Sequence, residues 1–252
     1  MNQTRFEAGR FFLKDTIRLQ VDFSTTDQSR GIAASPLQTP CAPEFVRVDL
    51  PEGRAALKHL AAMPLGDAIA GRESVRRFSP AALSLEEVSM LLWATQGVRK
   101  VLGPECALRV VPSAGARHAF ESYVAVSRVD TLVPGLYRYL PFDNQLAQIY
   151  EDTEIGNRAV DACHWQQFVG QAAVVFFWTA VPARMEWRYA EAAHKVIAID
   201  AGHVCQNLYL AAQAIGAGTC AIAAYNQGAC DSLLGVDGNE EFTVYIAPVG
   251  KC

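Results

Sequence analysis

The chain has 252 residues, 51% hydrophobic and 19% charged, with 22 basic and 26 acidic side chains and a net charge of -4. That apolar share excludes a disordered chain, because enough surface can be buried to offset the ordering entropy, and the length fits one large domain or one domain with an extension. A mildly acidic chain without a basic tract is not a nucleic-acid binder by default, and no apolar run approaches the ~18 residues of a membrane span.

The opening MNQTRFEAGR lacks the apolar core of a signal peptide, so a cytoplasmic protein is expected. Residues 1 to about 60 read as an extension. Within it, Ser24 to Pro43 is rich in Ser, Thr, Gln and Pro without a period, which predicts an extended arm on the domain or on a partner subunit. Leu57, Leu60, Ala61, Leu65, Ala68 and Ile69 are spaced for one apolar helical face, interrupted by Pro64. Ser84-Leu85-Glu86-Glu87 is a capping box that opens a helix ending at Gly97.

Strands are predicted at Tyr123–Val126 and Gly135–Tyr139, with Gln145–Tyr150 pairing back across the turn-like Pro141-Phe142-Asp143-Asn144. Residues 172–180 read as a buried strand and 243–249 as a last one. Between them a long helix runs from about Ala190 to Ile215, carrying Ile199, Val204, Leu208, Ala211 and Ala212, and stops at Gly216. Helices and strands mix without regular βαβ alternation, which predicts an α+β fold rather than a doubly wound one.

Three segments could carry chemistry. In Arg72-x-Ser74-x-Arg76, an extended backbone would turn two guanidiniums and a hydroxyl to one side, a set suited to a phosphate or a polyhydroxy chain; taken alone it better suits a solvated surface. Pro112-Ser113-Ala114-Gly115-Ala116 lets a ligand approach backbone N–H groups, or is a plain turn. Gly216 to Ala224 is a run of small residues that could lie against a planar ring, or a helix cap followed by a short strand. It follows a helix and lacks GK[ST], so it is neither a dinucleotide fingerprint nor a P-loop.

Other chemistries find no support. The seven cysteines (Cys41, Cys106, Cys163, Cys205, Cys220, Cys230 and Cys252) are odd in number and widely spaced without a CxxC pair, against a disulfide framework or a zinc site. The five histidines form no HExxH, and no GxSxG nucleophile elbow occurs.

Taken in order, GRESVRRF (71–78), LSLEEVSMLLWATQGV (83–98), RVVPSAGARHAFESYVAV (109–126), VDTLVPGLYRYLPFDNQL (129–146), AIDAGHVCQNLYLAAQAIGAG (198–218) and YIAPVGK (245–251) make the chain resemble the FMN-dependent nitroreductase superfamily. More closely it is similar to the SagB-type dehydrogenase branch, which includes the azoline oxidases of peptide-tailoring clusters. The resemblance covers about residue 60 to the end. It implies a three-layer α+β fold, a mainly antiparallel sheet flanked by helices, in an intertwined homodimer with FMN at the interface. Residues 1–60 would be the arm and 61–252 the FMN-binding domain.

The resemblance also assigns residues. Arg72, Ser74 and Arg76 match the element holding the FMN phosphate and ribityl chain. Pro112, Ser113, Ala114, Gly115 and Ala116 match an element that reaches the flavin from the partner subunit. Ala221, Ile222, Ala223 and Ala224 match the backbone that passes the isoalloxazine and donates to N5, and Lys251 matches a basic residue near the phosphate. Gln206 and Asn207 would reach the flavin edge or bridge the dimer. The implied activity is an oxidoreductase passing a hydride through N5, from NAD(P)H to a small organic acceptor, with no metal and no protein nucleophile.

Azoline oxidases place a Lys-Tyr pair before the long helix for proton abstraction. Here the matching residues are Arg188 and Tyr189; Arg stays protonated and is a poor base, which leaves Tyr189 as the one candidate acid or base. Azoline or other modified-substrate oxidation is therefore the alternative enzyme reading, and a non-catalytic flavin-binding or sensing dimer is the alternative of another class.

Overall fold

A computed structural model describes residues 3–252; residues 1 and 2, the start of the expected arm, lie outside the described residues. The helices are α1 (Glu7–Leu13), α2 (Gly53–Leu60), α3 (Leu65–Gly71), α4 (Leu85–Gln96), α5 (Ile155–Ala162), α6 (Ala183–Tyr189), α7 (Ala193–Ala214) and α8 (Gln227–Leu234). The strands are β1 (Arg47–Asp49), β2 (Val98–Gly103), β3 (Cys106–Arg109), β4 (Phe120–Val126), β5 (Gly135–Leu140), β6 (Gln145–Glu151), β7 (Val174–Ala180), β8 (Ala217–Thr219) and β9 (Phe242–Lys251).

Local chemistry explains several boundaries. Ser84 Oγ accepts from the Glu87 N–H at 3.1 Å while Glu87 Oε2 accepts from the Ser84 N–H at 2.9 Å, so the capping box opens α4 as its sequence predicts. Just past α7, Gly216 takes φ +64°, the left-handed position that ends helices at least cost. The predicted hairpin is β5–β6, with Leu140 opposite Gln145.

Seven strands form one sheet in the order β1-β6-β5-β4-β7-β9-β8, and every neighbouring pair is antiparallel. The interior strand β7 is largely apolar on both faces, because helices cover both. In β7, Val174, Phe176 and Trp178 face the layer of α4 and α7, whereas Val175 and Phe177 face α5 and α8. The period-two alternation of side chains is hidden in the sequence by this double burial. The three-layer α+β architecture is thus the one expected. Among the described residues no helix is long and apolar enough to cross a membrane.

Two expectations about apolar faces fail. Leu57 to Ile69 do not share one face: Pro64 caps the start of a separate helix α3, and Leu65 and Ile69 stand 67% and 58% exposed. Ile199 is also exposed rather than in the core. It falls on a stripe of α7 with Ala198, Gly202, His203 and Gln206, opposite the buried Ile197, Val204, Leu208 and Ala211.

The extension is tied into the domain. β1 joins the sheet edge against β6, and α2 packs on α4. Residues 32–45 have no regular structure, yet buried arginines hold their backbone. Arg184 Nε donates to Pro36 O at 2.8 Å, Arg109 Nη2 to Leu37 O at 2.7 Å, and Arg138 Nη2 to Thr39 O and Pro40 O at 3.1 and 3.0 Å. Glu121 accepts from the Thr39 N–H at 2.7 Å and pairs with Arg184. Burial pushes the Glu121 carboxyl up, but the guanidinium of Arg184 and its other donors hold it below the ordinary carboxylate value.

Candidate active site

The segment after α3 leaves the helix at Arg72, which is extended (φ -62°, ψ 120°). Ser74 then bridges Thr219 in parallel, and the Val75 N–H donates to Thr219 O at 2.9 Å. Ser74 and Val75 therefore lie alongside the edge strand β8. Gly218 permits this approach, since a Cβ there would meet Val75 Cβ at 2.6 Å. Extended backbone turns Arg72, Ser74 and Arg76 to the side opposite Val75.

Tyr209 of α7 gathers this side. The Arg72 guanidinium lies 5.3 Å from its ring centroid, Ser74 Oγ is 3.0 Å from its hydroxyl, and the Ala221 N–H donates to that hydroxyl at 2.8 Å. Arg76 lies over Phe168 at 5.9 Å. Among the described residues, neither Arg72 nor Arg76 has a carboxylate within ion-pair reach.

The small-residue run is fixed by a bridge between Ile222 and Ile246, with Ile222 buried and Ala223 and Ala224 exposed. Among the described residues, the N–H groups of Ala223 and Ala224 make no hydrogen bond to the backbone. Arg72, Ser74 and Ala221 thus meet at Tyr209, while Arg76 lies against Phe168. Lys251 is the neighbour of Ala217 across β8–β9, but its ammonium is engaged by Glu87 and by Ile215 O at 3.0 Å. Asn207 lies apart from this cluster, donating to Ala94 O at 2.8 Å.

Pro112–Ala116 lie elsewhere. The Ala114 N–H donates to Asp200 Oδ2 at 3.2 Å, and Ser113 Oγ accepts from the His118 N–H at 2.9 Å. Gly115 and Ala116 take φ +59° and +53°. A Cβ on Gly115 would meet Tyr189 Oη at 2.7 Å, so Tyr189 belongs to this half of the site. Ala190, at φ 45° and ψ -133°, is a strained break that aims Tyr189 there. Asp200, which holds one half, and Tyr209, which holds the other, are nine residues apart on α7. They stand about 13 Å apart along its axis and half a turn around it. The two segments thus meet opposite sides of α7.

Neither Tyr209 nor Asp200 stands out in the sequence; each is an ordinary helical residue until its partners are known. His118 sits below the Ser113 turn, where its Nε2 accepts from the Arg109 N–H at 3.4 Å. Burial, reinforced by Arg109, pushes its pKa down to about 3, so it is neutral in the folded chain. An unfolded histidine takes up its proton near the ordinary value of 6.5. Its contribution is therefore complete above that pH and falls below it, by up to about 1.4 kcal/mol per pH unit, until the folded group also protonates. Urea unfolding at neutral and acidic pH is expected to show this slope, and His118→Asn to flatten it.

The nitroreductase family matches residues 69–251. A protein of Methanocaldococcus jannaschii named as a nitroreductase is 32% identical over 187 residues, 74% of this chain and 90% of its own. A solved structure from Anabaena variabilis, also named as a nitroreductase, shares the fold with a TM-score of 0.66 at 22% identity. It aligns over 83% of this chain, which spans only 42% of its length. A chain of the Escherichia coli microcin synthetase McbBCD complex, with truncated pro-MccB17 bound, aligns over 97% of both chains, with a TM-score of 0.60 at 15% identity.

Proposed function

Because the chain belongs to the nitroreductase family, whose oxidoreductases generally work with FMN, we propose that it is a homodimeric FMN enzyme passing a hydride from NAD(P)H to a small organic acceptor. The observation that carries this reading is the cluster around Tyr209. Two guanidiniums without carboxylate partners among the described residues suit a phosphate, Ser74 suits a hydroxylated chain, and the N–H groups of Ala223 and Ala224, which make no backbone hydrogen bond there, suit the edge of a flavin ring. When bound, FMN supplies reversible two-electron chemistry with hydride exchanged at N5.

The protein's share is to hold and orient. Arg72 and Arg76 seat the phosphate, with Lys251 as a weaker contributor because Glu87 already neutralises it. Tyr209 fixes the distance between that seat and the Ala221–Ala224 backbone. Pro112–Ala116 come from the second copy, since α7 separates the two halves within one chain. Tyr189 travels with them as the candidate proton donor. Residues 1–60 are an extension of the FMN-binding domain, 61–252, although β1 and α2 are built into its layers.

Mixed dimers test the crossed site. One chain carries Arg72→Ala and Arg76→Ala, the other Gly115→Val, which the φ of +59° strains and which would displace the Tyr189 hydroxyl. Each homodimer should lose its flavin, whereas the heterodimer should regain one FMN per dimer, because one site then draws both halves from unaltered residues. No recovery would place both halves in one chain and overturn the crossed arrangement.

A second reading, a SagB-type dehydrogenase or oxidase of a modified peptide, is favoured by the fold alignment with the microcin synthetase chain, which extends over residues outside the family match. It stands second because Arg188 occupies the place of the base.

A further inference from the structure

Beside Ala223 opens a cavity of about 480 Å³. Its walls include Ile197 and Ala201 of α7 and Phe242 and Tyr245 of β9, and one wall is Phe12, from α1 near the start of the chain. Among the described residues no carboxylate or lysine lines it, and the imidazole of His194, which does, is held by Glu186 at 2.8 Å. The Tyr245 hydroxyl is hydrogen-bonded to the Cys205 thiol, and burial pushes its pKa up to about 12.

Phe12 is brought here by the arm. The Gln28 N–H donates to Trp187 O at 2.9 Å and Trp187 Nε1 donates to Ile32 O at 2.7 Å, which anchors the chain to α6, immediately before α7. From that anchor the preceding residues run back toward α7. α1 buries none of its residues, and Phe12 remains 44% exposed, so its ring serves the cavity more than the core.

We infer that this cavity seats the substrate beside the flavin, that it takes an uncharged, largely apolar molecule, and that Phe12 is a specificity-determining residue contributed by the arm. The inference rests on the FMN reading for the cavity's role, while the binding it describes is a property of this chain's own side chains. Desolvating a charge against these walls without a partner is costly, which selects against anions.

The test is calorimetric titration of the full-length protein, as purified and after flavin stripping, with 2-naphthol and with 2-naphthoate, the same rings bearing a carboxylate. The wild-type protein is expected to bind 2-naphthol and to bind 2-naphthoate at least about tenfold more weakly. Phe12→Ala is expected to weaken 2-naphthol about tenfold and Phe12→Leu by less, through lost apolar contact, with FMN content per chain unchanged. Equal affinity in Phe12→Ala and wild type, or no binding to the wild type, overturns the inference. So does flavin loss in Phe12→Ala, which would make the cavity the flavin's own seat. A wild-type chain that carries no FMN but binds 2-naphthol in a Phe12-dependent way would refute the FMN reading and leave the apolar site standing.

Discussion

Glu121→Ala is expected to cost about 3–5 kcal/mol of stability, the range for breaking a buried ion pair by removing one partner. Arg184 and Glu121 are both about 2% exposed at the side chain, and Arg109, beside them, is 4% exposed. Burial already pushes the Arg109 pKa down to about 10, against the opposing pull of Glu121. Without that carboxylate, two guanidiniums remain buried with only carbonyl, amide and hydroxyl oxygens as partners, and the Thr39 N–H loses its acceptor. The double variant Glu121→Met, Arg184→Met should recover part of the loss, because one guanidinium, Arg109, is then left buried without a carboxylate where Glu121→Ala leaves two. Denaturant unfolding of the three proteins measures this, and a loss under about 1 kcal/mol in Glu121→Ala would mean that water reaches the cluster.

The second large effect is on the cofactor. Arg72→Ala combined with Arg76→Ala should weaken FMN binding by about a hundredfold or more, because charge-assisted hydrogen bonds contribute about 1.5–3 kcal/mol each. The fold should survive, since neither guanidinium is buried or paired to a carboxylate. Flavin released on denaturation, measured per chain beside an unchanged melting temperature, separates the two. Full retention of FMN would remove both arginines from the phosphate seat.

The elements that the sequence discloses are those whose signals are local. The β7 run is apolar enough to announce burial on both faces, and Ser84 with Glu87 names the start of α4 within four residues. The same holds for half of the site, because Arg72, Ser74 and Arg76 are neighbours in an extended segment. What is hidden depends on contacts between distant residues. Tyr209 joins Ser74 to Ala221 across the sheet edge, and Asp200 meets Ala114 from 86 residues away. The arm has no period because arginines from β3, β5 and α6 hold it, rather than a repeating face of its own. The β2–β3 hairpin escapes notice because β2 is mostly exposed and carries Arg99 and Lys100 in place of an apolar alternation. Ile199 looks like core because it is apolar; its place on the exposed stripe of α7 is set by the neighbours of that helix.

The central claim is that the Tyr209 cluster holds FMN. The most direct measurement is the visible absorbance spectrum of freshly purified protein, with the flavin identified and counted after denaturation. The account predicts close to one FMN per chain, bleached anaerobically by NADH or NADPH. A colourless protein that also fails to take up added FMN would contradict it.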